Sequence, residues 1–367
     1  MEKNATEQDP LFALAAGFCK GGTRFSEVKT LGAGNINDTF LAIPEGGDEP
    51  FILQKINQNV FSVPGEVIRN AGKVHRHLAR KPFPLQLLEP VSVYGHPDIL
   101  SLEDRAGDCW RAFRYIADTV SYEYALTPAL AFEASKGMGS FLAGLSDMDP
   151  ATICEVIPHF HDGMWRFRRF EEAVREDIVG RKEGTALEID FALAGLEVFQ
   201  AVQSAGFPVR VVHNDAKMGN FLFDGHKKSV VAVIDWDTVM PGALVSDFGD
   251  MVRTMTASLS ENDDRFDEVM VRVEWFEALV KGFIPPLKGV FRPEELEGLL
   301  LGAKWIILEQ MIRFLGDYLN GDTYYKVRFP GHNLVRARNQ MALYRSLVQQ
   351  EAELNQVIMG VNSVFFR

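Results

Sequence analysis

Residues 211–237 read VVHNDAKMGNFLFDGHKKSVVAVIDWD: short apolar runs joined by polar loops, set in a half of the chain whose periodicity is otherwise helical. Runs of this length, rich in β-branched and aromatic residues and bounded by Gly, Asn and Asp, read as strands. Strands must satisfy their backbone groups by pairing, and Asp224-Gly225 supplies a tight turn between two of them. The chain therefore has to place a small β-insert inside a helical body, which sets the fold class as α+β.

The first third of the chain has the opposite balance. Asp9-Pro10 is a helix-start signal for a short helix over 11–19. Strands are expected at 25–31, 37–43 and 51–56, with turns at 32–34 and 45–50. A helix follows over 64–80, then strands near 91–94, 99–103 and 110–116. Beyond about Ala117 the pattern turns helical, with segments at 127–145, 163–179, 188–204, 246–259, 265–282, 293–320 and 332–358. The stretch 299–315 is apolar nearly all round, so it belongs at the centre of the helical part. At 367 residues the chain has room for two lobes, a small β-rich one over 1–116 and a large, mostly α-helical one over 117–367.

The chemistry concentrates in the insert. Asp215 follows an apolar strand and His213, Asn220 lies five residues on, and Asp235 ends a second apolar strand. A carboxylate on one loop can take a hydroxyl proton. An amide oxygen and a second carboxylate on adjacent loops offer hard oxygens to Mg²⁺. Singly, each residue reads as a turn or capping side chain. Jointly, H-x-D-x-x-x-x-N with a strand-end Asp is the pattern of a phosphoryl-transfer site. Asp237 adds another carboxylate nearby.

Upstream, Gly32, Ala33 and Gly34 join two strands in the run LGAGNIN, which ends at Asn37. A glycine turn lets backbone N–H groups approach phosphates without Cβ clashes. It precedes a strand, not a helix, so a dinucleotide-binding βα turn is excluded. In a kinase-like lobe the third strand presents a basic side chain to nucleotide phosphates, but Gln54 stands at that position, with Lys55 next to it. Side chains alternate along a strand, so either Gln54 bonds phosphate or a bulge turns Lys55 inward. The segment Arg114, Tyr115, Ile116 joins the two halves and would meet an adenine through its backbone.

Asp247 opens a helix and is expected to brace the catalytic loop through backbone hydrogen bonds. His159 and His161 are expected to be satisfied or exposed histidines, not a metal pair. Arg313 lies within the apolar helix. It either pairs with Glu309 four residues earlier or binds a polar substrate together with Tyr324.

A net charge of −12 disfavours a non-specific grip on nucleic acid. The three cysteines are widely spaced, which fits a reducing, cytoplasmic setting without disulfides. The apolar stretch at 11–18 is too short for a signal peptide, and no run is long enough to span a membrane. A monomer or homodimer is expected.

Taken together, these motifs resemble those of the aminoglycoside phosphotransferase and choline kinase superfamily, relatives of the protein kinases. GAGNINDTF, the H-x-D-x-x-x-x-N of His213, Asp215 and Asn220, and Asp235 carry that likeness. Within it, AGNINDTF, WRAFRYIADTVSY, HNDAKMGN, IDWDTVMPG, DFGDMVR, RFLGDYLNGDTYY and FPGHNLVRAR are similar to bacterial N-acetylhexosamine 1-kinases, from about Leu31 to Arg338. The resemblance implies a two-lobed protein-kinase-like fold that uses ATP with Mg²⁺. It implies transfer to the anomeric hydroxyl of N-acetylglucosamine or N-acetylgalactosamine, with Asp215 as base and Asn220 and Asp235 as metal ligands. Arg313 and Tyr324 would contact the sugar. The usual basic residue of the third strand is absent. The alternatives are a kinase of another small alcohol (choline, an aminoglycoside, a different sugar) and a ligand-sensing pseudokinase.

Overall fold

The computed structural model describes residues 10–31 and 36–365. The candidate phosphate-binding turn of Gly32, Ala33 and Gly34 lies outside those residues, as does Asp9. Pro10 opens α1 (Pro10–Ala16). A meander follows: β1 (Phe25–Thr30), β2 (Asp38–Pro44) and β3 (Phe51–Lys55). Then come α2 (Pro64–Leu78), β4 (Pro90–Val91), β5 (Ser101–Glu103) and β6 (Cys109–Arg114). These strands form one antiparallel sheet in the order β1-β2-β3-β6-β4, with β5 on the outer part of β6. Alternation puts Phe25, Phe51, Leu53 and Trp110 on one face, where they bury Ala15 and Phe18 from the first helix and its exit.

The remainder is a helical body with small β-ribbons let into it. α3 (Pro128–Leu145) starts at Thr127, whose hydroxyl accepts from Leu130 N, as Thr-Pro foretells. After α3 come α4 (Gly163–Glu176), α5 (Ala186–Ala194) and α6 (Leu196–Ala205). The insert follows. The short strand β7 (Thr119–Val120) pairs with β9 (Phe221–Asp224), and β9 pairs with β10 (Val230–Val233). β8 (Val209–Val212) pairs with β11 (Met240–Ala243). The body closes with α7 (Leu244–Met251), α8 (Val273–Phe283), α9 (Pro293–Glu297), α10 (Leu299–Leu319), α11 (His332–Gln349) and α12 (Glu351–Phe365).

α10 is buried on nearly every side, which matches its all-round apolar sequence. It meets α7 backbone to backbone. A Cβ on Gly249 would lie 2.4 Å from Gly302 O, and one on Gly302 would lie 2.3 Å from Val245 O. Two glycines thus set the distance between α10 and the helix that carries Asp247.

Several expected helices are cut or shortened. The segment 188–204 breaks at Gly195 and 293–320 breaks at Gly298. At Gly195 a Cβ would meet Leu308, and at Gly298 it would meet Phe207. The segment 332–358 breaks at Gln350, whose side chain turns back to Val271 O and Ser346. The expected 265–282 helix begins only at Val273, because Ala257 and Val271 form a β-bridge first. α7 ends at Met251 and continues as a π-turn over Val252–Thr256, not as an α-helix to 259. β4 is only two residues long. Among the described residues no helix is long and apolar enough to cross a membrane.

Candidate active site

The insert folds so that its loops converge. Asp215 leaves β8, Asn220 precedes β9, and Asp235 leaves β10. Ile234 N donates to Asn220 O at 2.9 Å, which fixes the second loop against the third. His213 is fully buried and ties the first loop to the same point. Its Nδ1 lies 3.3 Å from Asp215 N and its Nε2 lies 2.9 Å from Ile234 O. The Asp215 N–H can only donate, so the ring hydrogen of the neutral tautomer belongs on Nε2. Asn214 and Asp235 both take left-handed backbone, at φ 64° and 61°. Among side-chain-bearing residues Asn and Asp tolerate that conformation best, which accounts for their presence at these bends. Asn214 Nδ2 then donates to Thr238 O. Asp247 accepts from His213 N at 2.8 Å and from Asn214 N at 2.6 Å, the bracing role expected of it. Burial pushes its carboxyl up to about 6.

Asp215 does not stand alone. Lys217 Nζ lies 2.5 Å from its Oδ2, and Asn220 Nδ2 donates to Oδ2 at 3.0 Å and to the Asp215 carbonyl at 2.7 Å. Burial alone would raise the carboxyl, but the Lys217 ammonium holds it below its ordinary value. Asp215 is therefore ionised at neutral pH. Burial likewise works against the Lys217 charge, while Asp215, Asp235 and Asp250 raise its pKa overall. Lys217, two residues past Asp215, was not singled out from the sequence. Its signal was present in the spacing H-x-D-x-K.

The donors for a cation fit a kinase-type site. Asn220 directs its nitrogen at Asp215, which leaves its Oδ1 free to accept a cation. The Asp235 carboxylate makes no hydrogen bond or ion pair among the described residues. Burial first, and then the Asp237 charge, push it up to about 7. No group of three or more His, Cys, Asp or Glu able to hold a metal occurs among the described residues. An amide oxygen and one unpaired carboxylate suit Mg²⁺, which keeps water and takes phosphate oxygens for its other positions.

The residues expected to face a nucleotide take different parts from those expected. No bulge interrupts β3 opposite β2 or β6, so Gln54 faces inward and Lys55 faces out to Asp108 at 3.1 Å. Gln54 Nε2 donates to Thr39, and its Oε1 accepts from Arg111. Asn37 donates to Asp237 at 2.7 Å and accepts from Asn57 N, so it pins the β1–β2 connection to the insert. The N–H groups of Arg114 and Tyr115 go to Glu89 O and Pro50 O. The Arg114 side chain pairs with Glu49 and Glu89 at the surface. Arg111 and Asp237 form a buried ion pair at 2.5 Å. Removing one member of such a pair costs about 3–5 kcal/mol, because the other charge stays buried alone.

The third group lies on α10. Arg313 makes no ion pair with Glu309. It bonds Gln310 at 3.4 Å and lies 5.5 Å from the Phe160 ring, 5.7 Å from Tyr325 and 6.0 Å from the largely exposed Tyr324. Glu309 instead meets His161 Nδ1 at 2.8 Å and Trp305 Nε1 at 3.0 Å. His161 Nε2 then reaches Asn214 O at 3.1 Å, one residue before Asp215. His161 thus links the loop of Asp215 to α10. Sequence alone left it among the satisfied histidines, because its partners lie 148 and 53 residues away.

Burial opposes the His161 charge, but Glu309 outweighs it and leaves the pKa raised. Glu309 is likewise lowered overall by His161. A raised His stabilises the fold below its unfolded pKa and loses that contribution as pH rises through its folded pKa. A lowered Glu does the reverse on the acid side. The pair therefore supports the fold most between the two folded values. His161→Gln should be less stable than the parent by about 2 kcal/mol near pH 6, and the gap should narrow towards pH 9. Urea denaturation at both pH values checks this, and a gap that widens with pH contradicts it.

An antiparallel sheet stacked on a helical body, with the strand-end loops at 213–220 and 235–238 gathered in one place, is the protein-kinase-like fold. A family model described as the phosphotransferase enzyme family matches residues 27–274, and the chain belongs to that family. Its fold is similar to that of a microcompartment-associated aminopropanol kinase, with 14% identity over 94% of this chain and 98% of the other and a TM-score of 0.63. It is also similar to a Plasmodium vivax ethanolamine kinase, with 12% identity over 88% and 82% and a TM-score of 0.53. An amicoumacin kinase in complex with AMP-PNP and Ca²⁺ gives 14% identity over 87% and 88% and a TM-score of 0.56.

Proposed function

We propose that this chain transfers the γ-phosphoryl group of ATP to the anomeric hydroxyl of an N-acetylhexosamine, with Mg²⁺ as cofactor. The observation that carries the reading is one hydrogen-bonded unit: Asp215, held ionised by Lys217, shares Asn220 with a site beside the unpaired Asp235. Asp215 takes the hydroxyl proton. An anomeric hydroxyl is more acidic than an ordinary alcohol, so a carboxylate of low pKa suffices. Lys217 keeps that carboxylate charged and aimed. Mg²⁺ at Asn220 and Asp235 would neutralise phosphate charge when bound. The nucleotide lies between the lobes, whose boundary falls at 116/117, against the backbone at 114–117.

Arg313 and Tyr324 hold the sugar. Arg313 has no ion-paired carboxylate among the described residues, and Arg166 lies close enough for the two guanidinium charges to repel. Such a pocket offers donors to neutral hydroxyl and acetamido oxygens and rejects an ammonium group. That separates this chain from kinases of cationic amino alcohols. The experiment is a screen of N-acetylhexosamines, hexoses, choline and aminoglycosides with ATP and Mg²⁺. The expected product has lost its reducing-end reactivity, because a C1 phosphate blocks the aldehyde. Phosphorylation that leaves the reducing end free, or turnover only with cationic alcohols, overturns the assignment.

A further inference from the structure

Strand β3 carries no cation towards the site. Lys55 points away, held by Asp108 and lying 3.8 Å from Asp38. Directly across the sheet, in register with Gln54, stands Arg111 on β6. It is only 2% exposed. Its Nε and Nη2 both donate to Gln54 Oε1, at 3.1 and 2.9 Å, and Nη2 also faces Asp237. Nη1 is buried and has no hydrogen-bond partner among the described residues. Buried donors are nearly always satisfied, so a guanidinium nitrogen left over in this way points to an acceptor that arrives with a ligand.

Its surroundings identify that ligand. Thr39, Gln54 and Arg111 form a row across β2, β3 and β6. Asp237, two residues past Asp235, is bonded to Asn37 at the end of the β1–β2 connection. The orphaned donor therefore belongs to a guanidinium seated against Asp237, on the loop that bears the unpaired carboxylate. We propose that Arg111 is the phosphate-binding cation of this chain, with Nη1 donating to a phosphate oxygen of the nucleotide in place of the basic side chain that β3 lacks. The inference rests on the kinase reading above. Arginine suits the task because its planar fork can stay engaged with Asp237 and Gln54 while offering its other nitrogen. It also explains Gln54. A lysine there would set a second cation against the guanidinium, whereas the glutamine oxygen orients it.

The test measures nucleotide binding by calorimetry on the full chain, without sugar, using ATP with Mg²⁺ and adenosine as separate probes. Arg111→Met should weaken ATP binding ~30-fold and leave adenosine affinity within about twofold. That variant leaves Asp237 buried without its partner, so Arg111→Lys is measured beside it. Lysine keeps a charge for Asp237 but has one nitrogen, not a fork, so ATP affinity should still fall by ~5-fold or more. Unchanged ATP affinity in both variants, or equal losses for ATP and adenosine, overturns the proposal and leaves Arg111 as a structural partner of Asp237. A parent protein that binds neither probe overturns the kinase reading itself. A parent that binds ATP while the variants match it overturns this inference alone.

Discussion

Asp215→Asn is expected to lower kcat by ~10³-fold while ATP affinity stays unchanged or tightens slightly. The substitution is nearly isosteric, so the amide oxygen can still accept from Lys217 and Asn220, which now lie at 2.5 and 3.0 Å from Oδ2. On the proposed mechanism, what it removes is the ability to take the proton of the attacking hydroxyl. It also removes a negative charge near the transferring phosphoryl group, which is why nucleotide binding should not weaken. The fold is not at risk from an abandoned carboxylate, because the charge left behind is that of Lys217, which also feels Asp235 and Asp250. Steady-state kinetics with ADP release as readout, alongside calorimetric ATP binding, separate the two effects. Turnover within about tenfold of the parent would remove Asp215 as the base, since a positioned general base contributes about 10²–10⁴-fold.

What could be read from the sequence here is what is local. The spacing of His213, Asp215 and Asn220 spans eight residues, and the left-handed bends at Asn214 and Asp235 are written in their residue types. The burial of α10 follows from an apolar surface with no polar face. Pairings across the sheet were not legible. Gln54 meets Arg111 only because β3 and β6 are neighbours in a particular register, 57 residues apart. Helix breaks were half legible. Gly195 and Gly298 were visible as glycines, but the reason to stop there lies in Leu308 and Phe207, which no local pattern announces. At Gln350 neither glycine nor proline marks the break, and the side chain's bond to Val271 O is what reveals it.

Arg313→Ala should raise the KM for the sugar ~100-fold and leave the KM for ATP within about twofold. The choice between ion pair and ligand contact, open in the sequence, turns on Glu309. That carboxylate is bonded by His161 and Trp305, so losing Arg313 strands no buried negative charge. Burial opposes the Arg313 charge, although Tyr325 and Glu309 leave its pKa raised overall. Arg166, whose pKa is lowered by burial and then by Arg313, gains when Arg313 goes. The loss to the fold is packing against Phe160, Tyr324 and Tyr325, the long bond to Gln310 and a hydrogen bond to Tyr324. Three cation–π contacts of this kind contribute about 0.5–1 kcal/mol each, so Tm should fall by only about 2–4 °C. A structural arginine would give the opposite pattern, with a large drop in Tm and parallel changes in both KM values. Thermal denaturation and two-substrate kinetics on the same preparation decide between them. A sugar-selective KM effect with a nearly intact Tm assigns Arg313 to the acceptor, because a charge-assisted hydrogen bond to a buried hydroxyl or acetamido oxygen is what the alanine can no longer make.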